Sequence, residues 1–211
     1  MSHYFENDPT LASKERKLVL EIDGKRLEFI SDNGVFSKDK IDEGSTIFLK
    51  VLVPLRLSGR ILDLGCGYGP IGLTIAMTSP NARVDLADIN SRAVALCDRN
   101  ANKLGLSQRV TCLQSDIYEK IEGPYDSIVV NPPIRAGKVV TYKMYEGAKQ
   151  NLIDGGSLFI VIRKAQGAES AARYIESLFG NIKLLERSKG YHIYQAVKMS
   201  EKYRTRSHYN D

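Results

Sequence analysis

Residues 60–72 read RILDLGCGYGPIG. Ile61-Leu62-Asp63-Leu64 reads as a buried strand. It breaks into a glycine-rich turn, Gly65-Cys66-Gly67-Tyr68-Gly69, and Pro70 then opens a helix. Proline suits a first helical position because its φ is already helical and its missing N–H would have had no partner there. The glycines let backbone amides approach a ligand with no Cβ in the way, and the helix start offers free N–H groups and a positive dipole end. When this arrangement holds a nucleotide, an acidic side chain is needed at the end of the next strand to bind ribose hydroxyls. Val84-Asp85-Leu86-Ala87 leads to Asp88, 21 residues after Gly67. A glycine turn alone is weak evidence; strand, turn, helix and a correctly spaced acid together carry the reading. Asp63 has two readings, as a brace for the turn through backbone amides or as a contact for a cationic ligand group.

On the C-terminal side, strands and helices alternate, which implies a parallel sheet covered on both faces. The spacing predicts a helix over 70–78, a strand over 82–87, a helix from Asn90 or Ser91 stopped by Gly105, and strands over 109–113 and 125–130. A helix over 140–151, the turn Asp154-Gly155-Gly156, a strand over 157–162 and a helix over 168–179 closed by Gly180 follow. The last two strands, 182–187 and 192–198, are joined by four residues. A parallel crossover needs about a dozen residues, so this pair is expected to be antiparallel.

On the N-terminal side, residues 17–31 predict a β-hairpin around Asp23-Gly24. Ser45 is expected to cap a helix through Ile47, Phe48, Val51 and Leu52. Phe36 reads as core, with a place over a ligand pocket as the alternative. The expected fold is α/β: a doubly wound, mostly parallel seven-stranded sheet with a C-terminal antiparallel hairpin, preceded by a small N-terminal β-hairpin extension. The expected divisions are an arm and extension over 1–45, the main domain over 46–198 and a polar tail over 199–211.

A chain of 211 residues with 43% hydrophobic content can bury an ordinary core in one domain. No apolar run approaches the roughly 18 residues of a membrane span. The opening MSHYFENDPTLASKERK lacks the apolar core of a signal peptide. Cys66, Cys97 and Cys112 are odd in number and form no CxxC pair, so reduced thiols in a cytoplasmic protein are expected. His3, His192 and His208 have no metal-ligand spacing, and no metal site is expected. Residues 1–45 carry 7 Lys+Arg against 10 Asp+Glu, a net −3. Residues 46–211 carry 23 against 15, a net +8. A basic body favours a polyanionic partner such as RNA.

Ligands of open α/β sheets bind at the carboxyl ends of the strands. Those ends are Gly65–Gly69, Asp88, Ser115-Asp116 and Asn131-Pro132-Pro133-Ile134. They hold no nucleophile–base pair, which excludes a Ser-His-Asp or Cys-His hydrolase. No Lys follows the glycine turn, which excludes a phosphate-binding NTPase loop. Each residue before a proline is kept out of the helical region. Asn131-Pro132-Pro133 is therefore a stiff extended turn that presents one side-chain amide and one carbonyl, two acceptors able to bind an –NH₂ group.

The segments DLGCGYGPIG, ADIN, SDIY and NPPI, in this order, resemble class I S-adenosylmethionine-dependent methyltransferases that modify an exocyclic amine. GVFSKDKIDEGS, NPPIRAGK and KGYHIYQAVK extend the resemblance to the small-domain family that includes 16S rRNA guanine-N2 methyltransferases. The terminal hairpin is likewise similar to the methyltransferase sheet. The resemblance implies that Gly65, Gly67 and Gly69 line the methionine part of S-adenosylmethionine. It places Asp88 on the ribose, Ile89 beside the adenine and Asp116 at the adenine amino group. Asn131 and Pro132, held by Pro133, would position the target amine, Ile134 and Phe36 would line the base pocket, and Arg135 and Lys138 would contact RNA phosphates. Relatives acting on adenine-N6 or protein glutamine usually carry an aromatic where this chain has Ile134. Methylation of such groups or of a small amine is the alternative, and a non-catalytic RNA-binding protein of the same fold is a second.

Overall fold

The structure, a computed structural model, describes residues 11–200. Residues 1–10 of the expected arm and 201–211 of the expected tail lie outside the described residues, as do His3 and His208. The main body runs β3 (Gly59–Leu64), α2 (Pro70–Thr78), β4 (Ala82–Asp88), α3 (Ser91–Lys103), β5 (Val110–Gln114), β6 (Tyr125–Val130), α4 (Lys138–Asn151), β7 (Leu152–Arg163), α5 (Ala168–Phe179), β8 (Lys183–Ser188) and β9 (Tyr191–Val197). The sheet order is β5-β4-β3-β6-β7-β9-β8. Every pairing from β5 to β7 is parallel, and β9 pairs antiparallel with both β7 and β8. The expected fold is present. The terminal turn is shorter than expected, only Lys189-Gly190, with φ of +48° and +79°. Two left-handed residues match the natural twist of a hairpin.

Side-chain alternation divides the sheet into two cores. Ile61, Val129, Phe159 and Val161 lie on the face covered by residues 43–52 and by α2 and α3, while Leu62, Leu64, Val130 and Ile160 face α4 and α5. Period-two burial on both sides is what a sheet covered by helices demands. The chain adds β4 and β5 on one side of β3, then returns to add β6 on the other. The reversal therefore falls between β3 and β6, whose carboxyl ends lead into Gly65 and Asn131.

β7 starts at Leu152, five residues before the expected strand. Leu152 pairs with Tyr125, and the register shifts between Tyr125 and Ser127. The Asp154-Gly155-Gly156 segment is thus an irregularity inside a long strand. A Cβ at Gly156 would lie 3.0 Å from the Ile153 carbonyl oxygen and 3.1 Å from that of Asp126.

The extension is β1 (Arg16–Ile22) paired antiparallel with β2 (Lys25–Ser31). Leu18, Leu20, Leu27 and Phe29 are buried on one face. Two strands alone are marginal, and Asn100 of α3 anchors them. Its Oδ1 accepts from Ile30 N at 2.7 Å, and its Nδ2 donates to the carbonyls of Ile30 and Tyr68 at 2.9 Å each. One buried amide thereby satisfies both backbone groups of an edge residue.

Helix α1 (Glu43–Leu52) follows. Its cap is Asp42, not Ser45. Asp42 has φ −58° and ψ 137°, outside the helix, and its carboxylate accepts from Ser45 N at 2.9 Å. Ser45 already lies in the first turn. Residues 45 and 46, where the sequence reading divides extension from body, both fall inside α1, which packs against α2 and β7.

Candidate functional site

The carboxyl ends of β3, β4, β5 and β6 enclose a cavity of about 300 Å³. At its floor the glycine turn folds over β4: the amides of Gly65 and Cys66 both bond to the Ala87 carbonyl, at 2.8 and 3.0 Å. Gly67 has φ +57°, and a Cβ there would meet nothing within 4 Å. Gly69 has φ +94°, and a Cβ there would strike Leu73 and Cys97 at 2.7 and 2.8 Å. Gly67 therefore borders open space, and Gly69 allows helix packing. Gly65 and Gly67 line the cavity while Gly69 does not.

Asp88 lines the cavity beside the exposed Ile89. Its two carboxylate oxygens accept from Gly67 N at 2.8 Å and Asn90 N at 2.9 Å. Burial pushes its pKa above the ordinary value, against the pull of the Asn90, Gly67 and Ile89 amides. Asp63 lies beneath the turn, 1% exposed, and does not line the cavity. It accepts from Gly72 N at 2.8 Å, an amide in the first turn of α2. That contact is of the kind the brace reading requires. Burial, with the nearby Asp88 charge, raises its pKa to about 7. Asp116 and the left-handed Ile117 form the wall after β5.

Asn131 sits opposite. Its Nδ2 donates to Asp42 Oδ2 at 3.1 Å and to Ser45 Oγ at 3.0 Å. Both amide hydrogens are thus committed, and Oδ1 is the acceptor that remains. In the turn that follows, Ala136 N bonds to Pro133 O and Gly137 N to Ile134 O. The Pro132 carbonyl, outside those two bonds, is the second acceptor. Pro132 and Pro133 line the cavity with Asn131. Ile134 is not among the lining residues; it heads the 3₁₀ turn and packs on the α4–α5 core. Phe36 is 39% exposed and lines the cavity, so its reading as core is corrected. Its loop follows β2, and Asn90 Nδ2 holds that loop by donating to Gly34 O at 2.8 Å.

Arg135, Lys138, Arg163 and Lys164 are exposed near the carboxyl ends of β6 and β7. Lys149, which sequence reasoning would add to this group, belongs elsewhere. α4 runs back down the sheet, and Lys149 in its last turn donates to the Leu178 carbonyl.

The most informative residues that sequence reasoning missed are Asp42, Ser45 as an amide partner, and Tyr68, all lining the cavity. Asp is as good a helix-cap residue as Ser, so Asp42 was a candidate cap in the same stretch. The described lining holds three acids, Asp42, Asp88 and Asp116, and no Lys, Arg or His. That charge suits a cationic ligand and opposes a pyrophosphate-bearing dinucleotide. With Gly67 open, Asp88 at a strand end and Ile89 beside it, the cavity fits a positively charged nucleoside.

Residues 26–195 match the model of the methyltransferase small domain family. The chain is 38% identical over 199 residues to the uncharacterized protein YbxB of Bacillus subtilis, covering 93% of this chain and 98% of that protein. It is 36% identical over 190 residues to ribosomal RNA small subunit methyltransferase C of Vibrio vulnificus, covering 87% of this chain and 53% of that protein. Among solved structures, a T. thermophilus 16S rRNA N2 methyltransferase, RsmC, in complex with AdoMet and guanosine, is similar with a TM-score of 0.79 and 27% identity. That likeness covers 90% of this chain and 52% of the other. The chain thus spans about half the length of the named rRNA methyltransferases it matches.

Proposed function

The chain belongs to the methyltransferase small domain family, and from that premise we propose that it transfers a methyl group from S-adenosylmethionine to the exocyclic N2 amine of a guanine in RNA, the RNA being 16S rRNA. The observation that carries this reading is that Asn131, with its Nδ2 committed to Asp42 and Ser45 and its Oδ1 left to accept, lines with Pro132 the cavity that Asp88 and the Gly67 turn enclose. Two relatives named as 16S or small-subunit rRNA methyltransferases support the RNA substrate.

S-adenosylmethionine, when bound, supplies an electrophilic methyl carbon and departs as S-adenosylhomocysteine. Asp88 would accept from the ribose hydroxyls, with Ile89 beside the adenine and Asp116 at its amino group. Gly65 and Gly67 would pass close to the methionine part. The lone pair of a guanine N2 amine is delocalised into the ring, so the amine is a weak nucleophile. Asn131 Oδ1 and the Pro132 carbonyl each accept one N–H, which favours a pyramidal nitrogen with its lone pair aimed at the methyl carbon. The N–C bond would form in place of the S–C bond, and the amine held by Asn131 and Pro132 would release one proton to water afterwards. Alignment and fixed dipoles supply the rate enhancement, without a strong base.

The base must leave its stack to enter. Phe36 at the mouth offers a ring face, and Arg135 and Lys138 offer charge to the flanking phosphates. Incubation with methyl-labelled S-adenosylmethionine, 16S rRNA and ribosomal protein tests the reading. Label in the RNA is expected; label confined to protein would refute it.

A further inference from the structure

Asp42 makes more contacts than a helix cap needs. One oxygen, Oδ2, receives Ser45 N at 2.9 Å, Ser45 Oγ at 3.3 Å and Asn131 Nδ2 at 3.1 Å. A carboxylate only accepts, so it dictates the orientation of the Asn131 amide. Turning that amide over would set two oxygens against each other. The other oxygen, Oδ1, takes no hydrogen bond from any described residue, and Asp42 lines the cavity next to Asn131. A third acceptor, a carboxylate oxygen, therefore stands beside the pair that would hold the target amine.

The Watson–Crick edge of guanine presents two adjacent donor groups, N2–H₂ and N1–H. 2-Aminopurine carries the same N2 amine but has a bare lone pair at N1, and adenine also has an acceptor there. With N2 held by Asn131 Oδ1 and the Pro132 carbonyl, the neighbouring N1 position faces a further group. A carboxylate there gains a charge-assisted hydrogen bond from guanine N1–H and repels a lone pair. We propose that Asp42 is a specificity-determining residue that selects guanine by its N1–H while fixing the Asn131 amide. The inference rests on the guanine-amine reading above. A paired acceptor explains how an amine is held, whereas Asp42 explains which base brings it.

The test uses the full chain saturated with S-adenosylhomocysteine, titrated with guanosine and with 2-aminopurine riboside by NMR, which reads weak binding. Wild type should bind guanosine about tenfold or more tightly than 2-aminopurine riboside, the usual scale for one matched against one mismatched polar contact to a base. Asp42→Asn keeps a good helix cap but can donate to a bare N1, so the ratio should fall to about threefold or less. If Asp42→Asn fails to fold, Asp42→Ser, which also caps, takes its place with the same expected loss of discrimination. An unchanged ratio overturns the proposal, as does a wild type that does not prefer guanosine. Labelled transfer to guanine in 16S rRNA by wild type, alongside an unchanged ratio in the variant, would remove Asp42 alone. No transfer to guanine by wild type would remove the underlying function.

Discussion

Replacing Asp63 with Asn should remove a specific part of the pH dependence of folding. The Asp63 carboxyl is 1% exposed, and burial is the main cause that raises its pKa from 3.8 to about 7. Because the folded value is above the unfolded one, the native state holds a proton that the unfolded chain releases. The direction follows: this group favours folding below pH 4, and its contribution is lost as pH rises through 7. The displacement corresponds to about 4 kcal/mol over the whole range and about 2–3 kcal/mol between pH 5 and 8. Asparagine can still accept from Gly72 N but does not titrate. Chemical denaturation at both pH values should be followed by far-UV circular dichroism, since the chain has no Trp. The change in unfolding free energy from pH 5 to 8 should be about 2–3 kcal/mol less negative in Asp63→Asn than in wild type. Equal changes in the two proteins would show that Asp63 takes up no extra proton on folding, and would refute its burial as a protonated carboxyl.

Asp88→Ala should weaken S-adenosylmethionine binding by about 1–3 kcal/mol, the worth of charge-assisted bonds to the ribose; unchanged affinity in calorimetric titration would remove Asp88 as the ribose ligand. Asn131→Ala should leave cofactor affinity nearly intact and cut turnover about a hundredfold, and a variant with normal turnover would contradict the amine-positioning role. Arg135→Ala or Lys138→Ala should flatten the slope of log RNA affinity against log salt by about one unit. No change in slope for either would place the phosphates elsewhere.

The backbone plan was legible because local signals agreed. The Gly65–Gly69 turn, the Asp88 spacing and the short terminal link each fix one feature of the sheet, and α2, β6 and α5 begin and end where glycine, proline and apolar period place them. Less legible was whatever depends on distant residues meeting. Asp42 and Asn131 are 89 positions apart, and no local pattern marks them as partners. Ser45 was mistaken for the cap because both Asp and Ser can fill that role, and only the backbone angles decide between them. The long start of β7 was hidden by Gly155-Gly156, which reads as a turn until the shift opposite Tyr125 accommodates it. Charge counting alone would add Lys149 to the basic group around Arg135, because it ignores the direction in which a helix runs.

The central claim is that the paired acceptor at Asn131 and Pro132 presents a guanine N2 amine for methylation. The most direct measurement is mass spectrometry of nucleosides from 16S rRNA incubated, naked and in small subunits, with the protein and isotopically labelled S-adenosylmethionine. The account predicts labelled N2-methylguanosine from wild type and its loss with Asn131→Ala. Label in N6-methyladenosine, or in a protein glutamine with the RNA untouched, would contradict it.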